Sequence, residues 1–538
     1  MDPAQDVPPA VLTALSQAFT SVPDRGAART RRCLFLDTFD WRLYRAGLVL
    51  ELEQARGGSR LLLSKADGTP QADQAVTGWP PRRPGLAWDM PAGPVRDRVV
   101  VLAGPRALLP VVKAAGTVGV TRLVNTDGKT VARLYAENLS VTSPAPSAGG
   151  TTTAVLPFRL SVAGVRGYPG PARKVVGLLA ALPGVTHASQ GVFAAGLAAL
   201  GRHPAEHISG PDAELTADMP AATAVARLLL RQLDTLEQNV DGVLRDIDTE
   251  FLHDLRVAVR RTRSAIKLLA EVLPEDVAAH YGAEFKWLGD LTTPTRDLDV
   301  HLLGFDATAG QLRAAAPADL EPFRLFLHHR RAREFRRLAA ALRGPRFRAL
   351  AQDWRKVLLE LRDASARPGA GRRRRRPLAA AALATATTGK AFRRIVSQGR
   401  AITAESAPES LHNLRKRAKE LRYLLEFFAP LHDPHAYRKV VGDLKSLQDC
   451  LGDFQDSQVQ REELQALAAQ MLAAGAAPAA TLLAMGEIAA NLIDSQAAAR
   501  DDFARRFARF AGPAGQQRVA VLLAGPGQDK AAQEKTAE

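Results

Sequence analysis

An α+β chain is predicted, with a mostly β domain ahead of an all-α domain, and three observations carry that reading. Apolar and polar residues alternate in short runs before residue 205. From residue 221 onward the apolar residues recur with a helical period. The stretch HDLRVAVRRTR at 253–263 returns as HNLRKRAKELR at 412–422, 159 residues further on.

The β elements follow in order. CLFLDTFDWRLYRAGLVLELEQ alternates around a DTFD turn, and GGSRLLLSK follows a glycine pair. NTDGKT reads as a hairpin turn between RLV and VARLYAE, and LPFRLSVAGVRG at 157–167 is another strand. Residues 171–200 turn helical, which gives a β domain with helical edges over 1–205. A polar stretch with His, Pro, Gly and Asp suggests a linker at 206–217.

Helical patterns such as LLLRQLDTLEQNVDGVL and FRLFLHHRRAREFRRLAAAL fill 218–366. RPGAGRRRRRPL at 367–378 interrupts them as an arginine-rich loop, helices resume over 379–511, and 512–538 reads as a disordered tail. FKWLGDLTTPTRDLDV (285–300) also lies on LKSLQDCLGDFQDSQV (444–459) at the same offset of 159. One ungapped offset serving both blocks predicts a duplicated multi-helix unit, two bundles about a pseudo-twofold axis.

Composition narrows the partners. With 538 residues and a net charge of +16, the chain attracts polyanions: nucleic acid, anionic lipid or phosphate chains. The two cysteines form no CxxC pair or zinc spacing. MDPAQDVPP has no signal-peptide pattern, and no charge-free run of membrane length appears, so a cytoplasmic protein without a membrane span is expected. Aromatic content of 6% gives little support for a base-stacking platform, which leaves nucleic acid as a nonspecific partner.

On a helical wheel His253, Arg256, Arg260, Arg263 and Lys267 share an arc of about 80°, opposite Leu252, Leu255, Val259, Thr262 and Ile266. The second copy places His412, Arg415, Lys416, Lys419, Arg422 and Tyr423 on its basic side. At about 5.4 Å per turn the first stripe runs about 21 Å. Like charges one turn apart cost a few tenths of a kcal/mol per pair. A phosphate chain laid along them offsets that cost, and arginine suits its oxygens. The competing reading pairs these cations with Asp290, Asp297, Asp299, Asp449, Asp453 and Asp456. Lys286, Lys445, His328 and Arg331 extend the candidate surface. Neither His253 nor His412 has a second ligand in HxxxH or HExxH form, so phosphate contact is preferred to metal.

HDLRVAVRRTRSAIK, KWLGDL…RDLDV, LHNLRKRAKELRYLLEFF and LKSLQDCLGD resemble the CHAD family, the conserved histidine α-helical domain, over about 218–511. The resemblance implies two pseudo-symmetric four-helix bundles that bind inorganic polyphosphate in a basic groove, and association with polyphosphate granules and their proteins in bacteria or archaea. His253, Arg256, Arg260, Arg263, His412, Arg415, Lys419 and Arg422 fall on its basic motif positions. The first copy departs at TTPT, 292–295, where an altered helix end is expected.

FLDTFDWRLYRAGLVLELE, RLLLSKADG, PRALLPVVK, DGKTVARLYAE and VRGYP resemble, in order, the CYTH family over about 30–200. That resemblance implies an antiparallel β tunnel holding triphosphate, with Mg²⁺ or Mn²⁺ where hydrolysis occurs. The family's opening ExExK strand is absent from PAQDVPPAVLTALSQAF, so the tunnel is expected to be incomplete and catalysis is not expected. Arg42, Arg45, Lys65, Lys113, Arg122, Arg133 and Glu137 are the candidate remaining tunnel residues. The functions set against each other are thus polyphosphate binding, metal-dependent triphosphatase activity, and nonspecific nucleic-acid binding. The CYTH resemblance also implies a cyclase reading, since some members are adenylate cyclases, but it is weaker because it needs the same missing carboxylates.

Overall fold

Period-two alternation builds an antiparallel sheet in the N-terminal half of a computed structural model that describes residues 7–24, 29–55, 58–79, 84–144, 152–204, 215–366 and 378–524. The chain divides into two units, Met1–Ile208 and Ser209–Glu538. The expected 206–217 linker lies largely outside the described residues, and the arginine run at 372–376 lies wholly outside them.

The first unit runs α1 (Pro9–Ser16), β1 (Thr20–Pro23), β2 (Arg29–Asp37), α2 (Arg42–Arg45), β3 (Leu48–Ala55), β4 (Gly58–Lys65), β5 (Pro70–Val76), β6 (Gly85–Leu86), α3 (Pro94–Ala103), β7 (Ala107–Val124), β8 (Thr130–Thr142), β9 (Thr153–Val155), β10 (Arg159–Gly164), α4 (Pro169–Ala180) and α5 (Val192–Ala199). The sheet order is β10-β8-β7-β2-β3-β4-β5, with β1 and β6 added to β7 and β9 to β8. This antiparallel sheet is consistent with a CYTH-like fold.

Alternation gives the sheet two different faces. One buries Leu36, Leu50, Leu52, Leu61 and Leu63 beneath Val95 and Val99 of α3. On the other, Cys33, Phe35, Ala114, Leu139 and Val141 pack with Phe193 and Leu197 of α5. The DTFD turn is tied by Asp37, which accepts the backbone N–H groups of Thr38, Leu43 and Tyr44 at 2.7–2.9 Å.

The second unit is helical: α6 (Ala221–Leu244), α7 (Thr249–Leu268), α8 (Glu275–Leu303), α9 (Phe305–Ala309), α10 (Glu321–Arg343), α11 (Pro345–Ala366), α12 (Ala380–Arg400), α13 (Pro408–Phe427), α14 (Pro434–Ala473), α15 (Ala479–Ala511) and α16 (Pro513–Ala524). The starts of α6, α7 and α8 recur as the starts of α12, α13 and α14 at the offset of 159 seen in the sequence. Asp248 caps α7 by accepting from Glu250 and Phe251 N–H, and Asp433 caps α14 by accepting from His435 and Ala436 N–H. Gly242 lets α6 and α7 approach, because a Cβ there would lie 2.1 Å from the Phe251 ring.

The twofold relation is visible in one reciprocal pair of bonds. Ala221 N–H donates to Leu378 O at 2.8 Å, and Ala380 N–H donates to Met219 O at 2.8 Å. Ala221 and Ala380 are equivalent residues, as are Met219 and Leu378. Exchanging the copies exchanges the two bonds, as an isologous contact requires. A shared core closes the far end, where Leu298, Phe305, Phe323 and Leu327 meet Leu464, Met471, Met485 and Ile488.

Two expectations need correction. Residues 513–524 are helix, not disordered tail, and Val519 and Leu522 bury themselves in the second copy's core. The LL pair in VAVLLAG carried that signal, but flanking glycine and proline concealed it. TTPT does not end a helix either: α8 continues through Pro294 to Leu303.

Candidate functional site

α7 and α13 are equivalent helices that meet at the pseudo-twofold axis, and each carries its basic stripe there. The stripes are not uniform rows of free charge. In α7, Arg256 donates to Gly289 O at 3.3 Å and to the hydroxyls of Thr292 and Thr293 at 3.4 and 2.5 Å. The TTPT departure thus supplies neutral oxygens to Arg256. In α13 the equivalent Arg415 donates to Asp456 at 2.7 Å.

The next turn brings the copies together. Arg260 and Lys419 are equivalent positions, and the guanidinium of Arg260 stands 5.8 Å from the Tyr423 ring centroid. Lys419 is half-buried, and among the described residues it has no ion pair. Burial lowers its pKa to about 8, and the Arg415 and Arg260 charges push in the same direction against a counter-pull from Asp456. Arg256 is likewise held below its ordinary value by burial, against Asp297, and by Arg260, Arg296 and Arg263. These cations raise one another's energy, as a site prepared for an anion would.

The histidines sit at the outer ends and differ. His412 Nδ1 lies 2.6 Å from Gln455 Oε1. His253 is held below its ordinary pKa by burial and by Arg296, which occupies the position equivalent to Gln455. Arg296 was not singled out in the sequence. It donates to Thr249 O at 3.0 Å and is only 12% exposed.

The remaining candidates separate into two groups. Arg263, Lys416, Lys445 and His328 are exposed. Lys286 is exposed but pairs with Asp290 at 2.9 Å. Arg331 belongs elsewhere: Asp246 holds it through two bonds and buried Asp299 through a third at 2.7 Å, so it joins helices. Tyr423 is buried and presents its ring, not a free hydroxyl, to Arg260. Arg422 pairs with Glu426 at 2.7 Å, and Lys267 with Glu420 at 2.8 Å. Glu426 also takes Arg261 at 2.6 Å. The stripes are therefore neutralised at their Lys267 and Arg422 ends and left uncompensated around Arg260 and Lys419.

In the first unit the seven tunnel candidates do not converge. Arg42 and Arg45 are on α2, where Arg42 donates to Asp40 at 2.9 Å and to Ala103 O at 2.7 Å. Lys113 stands opposite Leu34 and Lys65 opposite Leu48, on the face of the leucine core. Arg122 and Arg133 are opposite each other, on the same face as Glu137. That face is organised by Arg31, which the sequence reading missed. It donates to Glu137 at 2.6 Å and to Glu51 at 2.7 Å, while Arg29 pairs with Glu53 at 2.9 Å. Burial opposes the Arg31 charge, but Glu51 and Glu137 more than offset it and raise its pKa. Divalent-ion chemistry needs carboxylates that converge on one point. Here Glu51, Glu53 and Glu137 are engaged by arginines, and no group of three or more ligating side chains converges among the described residues.

Residues 227–465 match the family model described as CHAD domain. The helical unit carries a CHAD domain. Among solved structures, the chain is similar to that of the CHAD domain from the plant Ricinus communis. The two are 25% identical, covering 56% of this chain and 96% of that one, with a TM-score of 0.46. It is also similar to PptA from Streptomyces chartreusis, 18% identical, covering 54% of this chain and 99% of that one, with a TM-score of 0.41. No curated protein matches. Among the described residues no helix is long and apolar enough to cross a membrane.

Proposed function

We propose that the CHAD domain of this chain binds inorganic polyphosphate along the α7–α13 stripes, as a protein associated with polyphosphate granules. The observation that carries the reading is the meeting of equivalent Arg260 and Lys419 without a carboxylate partner for the lysine. A chain of phosphates places one negative charge per unit and fits a row of cations one helical turn apart. The test compares long-chain polyphosphate with double-stranded DNA of equal charge across a salt series. Tighter polyphosphate binding at every salt concentration is expected, with both affinities falling as salt rises. Equal or tighter DNA binding makes the surface a general polyanion site.

Lys419 supplies a pH signature. Its pKa in the free protein is lowered to about 8, so it is charged below that pH and neutral above it. Polyphosphate affinity is expected to fall as pH rises from 7 to 9, by up to about tenfold for one lost charge-assisted contact. The change Lys419→Arg is expected to flatten that slope, since arginine stays charged. A slope that persists in the variant assigns the pH dependence to another group.

A further inference from the structure

A cleft of about 340 Å³ opens between the C-terminal end of α7, α12 and α13. Its charged lining is Lys267, Lys390, Arg394 and Arg417, with Glu271 and Glu420, and the rest is Thr387 with leucine and alanine residues. Only Lys267 belongs to the stripes described above. We propose that this cleft is a second site, for a small organic phosphate with a compact apolar body.

The charge pattern selects the phosphate. Glu420 is already engaged, accepting from Lys267 and Arg417 at 2.8 Å each. Lys390 and Arg394 lie one turn apart on α12, both exposed, and neither has an ion pair among the described residues. Four cations against two carboxylates leave an excess of positive charge in the cleft. The apolar part of the lining, Leu268 and Leu424 with three alanines, selects the rest of the ligand: a bare phosphate covers little of it, whereas a short hydrocarbon or aromatic body removes it from water. The volume falls within the range of small-molecule sites.

The duplication supplies an internal control. At the offset of 159, the other copy keeps a cation, Arg231, where this one has Lys390, but has Thr235 where it has Arg394, Ala258 where it has Arg417, Glu426 where it has Lys267, and Arg261 where it has Glu420. The cleft's cation set therefore is not a by-product of the twofold arrangement. Of its four cations only the Lys390 position is basic in both copies, whereas the basic positions around Arg260 and Lys419 occur in both.

Titration of the full chain with phenyl phosphate tests the site, alongside long-chain polyphosphate as a separate arm. Wild type is expected to bind phenyl phosphate, and Lys390→Ala/Arg394→Ala to weaken it at least about fivefold. The same variant is expected to keep its polyphosphate affinity within about twofold, while Lys419→Glu does the reverse. Wild type that fails to bind phenyl phosphate, or a variant that binds it equally well, overturns the proposal. So does a variant that weakens both ligands alike, which would make the cleft one end of the polyphosphate path. Failure of the polyphosphate reading shows in the other arm, in wild type itself.

Discussion

Lys419→Glu is expected to raise the stability of the protein and to weaken its polyphosphate binding at least about tenfold. The two effects share one cause. Lys419 is half-buried, and its pKa is lowered first by that burial and then by Arg415 and Arg260, against Asp456. A carboxylate in its place exchanges repulsion from Arg260 and Arg415 for attraction, offset in part by burial and by Asp456, for a net gain of up to about 1 kcal/mol in a partly solvated setting. The same carboxylate repels each phosphate that approaches the axis. A lysine placed for packing alone gives the opposite stability result, because its aliphatic stem is lost and nothing is gained. Urea denaturation and polyphosphate titration of one purified variant decide between them. Reduced stability with unchanged affinity removes Lys419 from the site.

The duplication was legible because one ungapped offset preserves identity at chemically demanding positions, and the helix starts repeat at the same offset. The basic stripes were legible from the wheel, because a helix fixes side-chain direction within one element. What no wheel contains is the partner on another element. Arg331 and Arg415 looked alike in the sequence, yet Asp299 and Asp246 both hold the first, while a single exposed aspartate, Asp456, takes the second. Asp299 had been named as a carboxylate capable of this, but which arginine it takes depends on how α10 packs on α8. In the β unit the unread quantity is strand parity. Resemblance to a family's words does not say which face a charged residue occupies, and strand parity sends Lys65 and Lys113 to the leucine face. Arg31, the centre of the other face, stood in an unremarked RTRR run whose alternation could have shown it sharing a face with Cys33 and Phe35.

Reversing both cations of the α7–α13 seam, Arg261→Glu with Lys267→Glu, is expected to destabilise the helical unit by about 2–4 kcal/mol. Position 261 faces position 426, the equivalent of 267, and position 267 faces 420, the equivalent of 261. The two ion pairs are thus one contact and its pseudo-symmetric image. A self-complementary pair could have satisfied this symmetry with one cation and one carboxylate in each copy. The chain instead keeps both cations in the first copy and both carboxylates, Glu420 and Glu426, in the second. That division is open only to a duplicated gene product, and it makes the seam selective. Two first copies would bring four cations together, and two second copies four carboxylates. The quadruple variant that adds Glu420→Lys and Glu426→Arg is expected to recover more than half of the lost stability in urea. Recovery stays incomplete because the new cations meet Arg417 and Arg422, which now pair with those carboxylates. If the quadruple variant is no more stable than the double, the seam contacts contribute through packing and not through the sign of their charge.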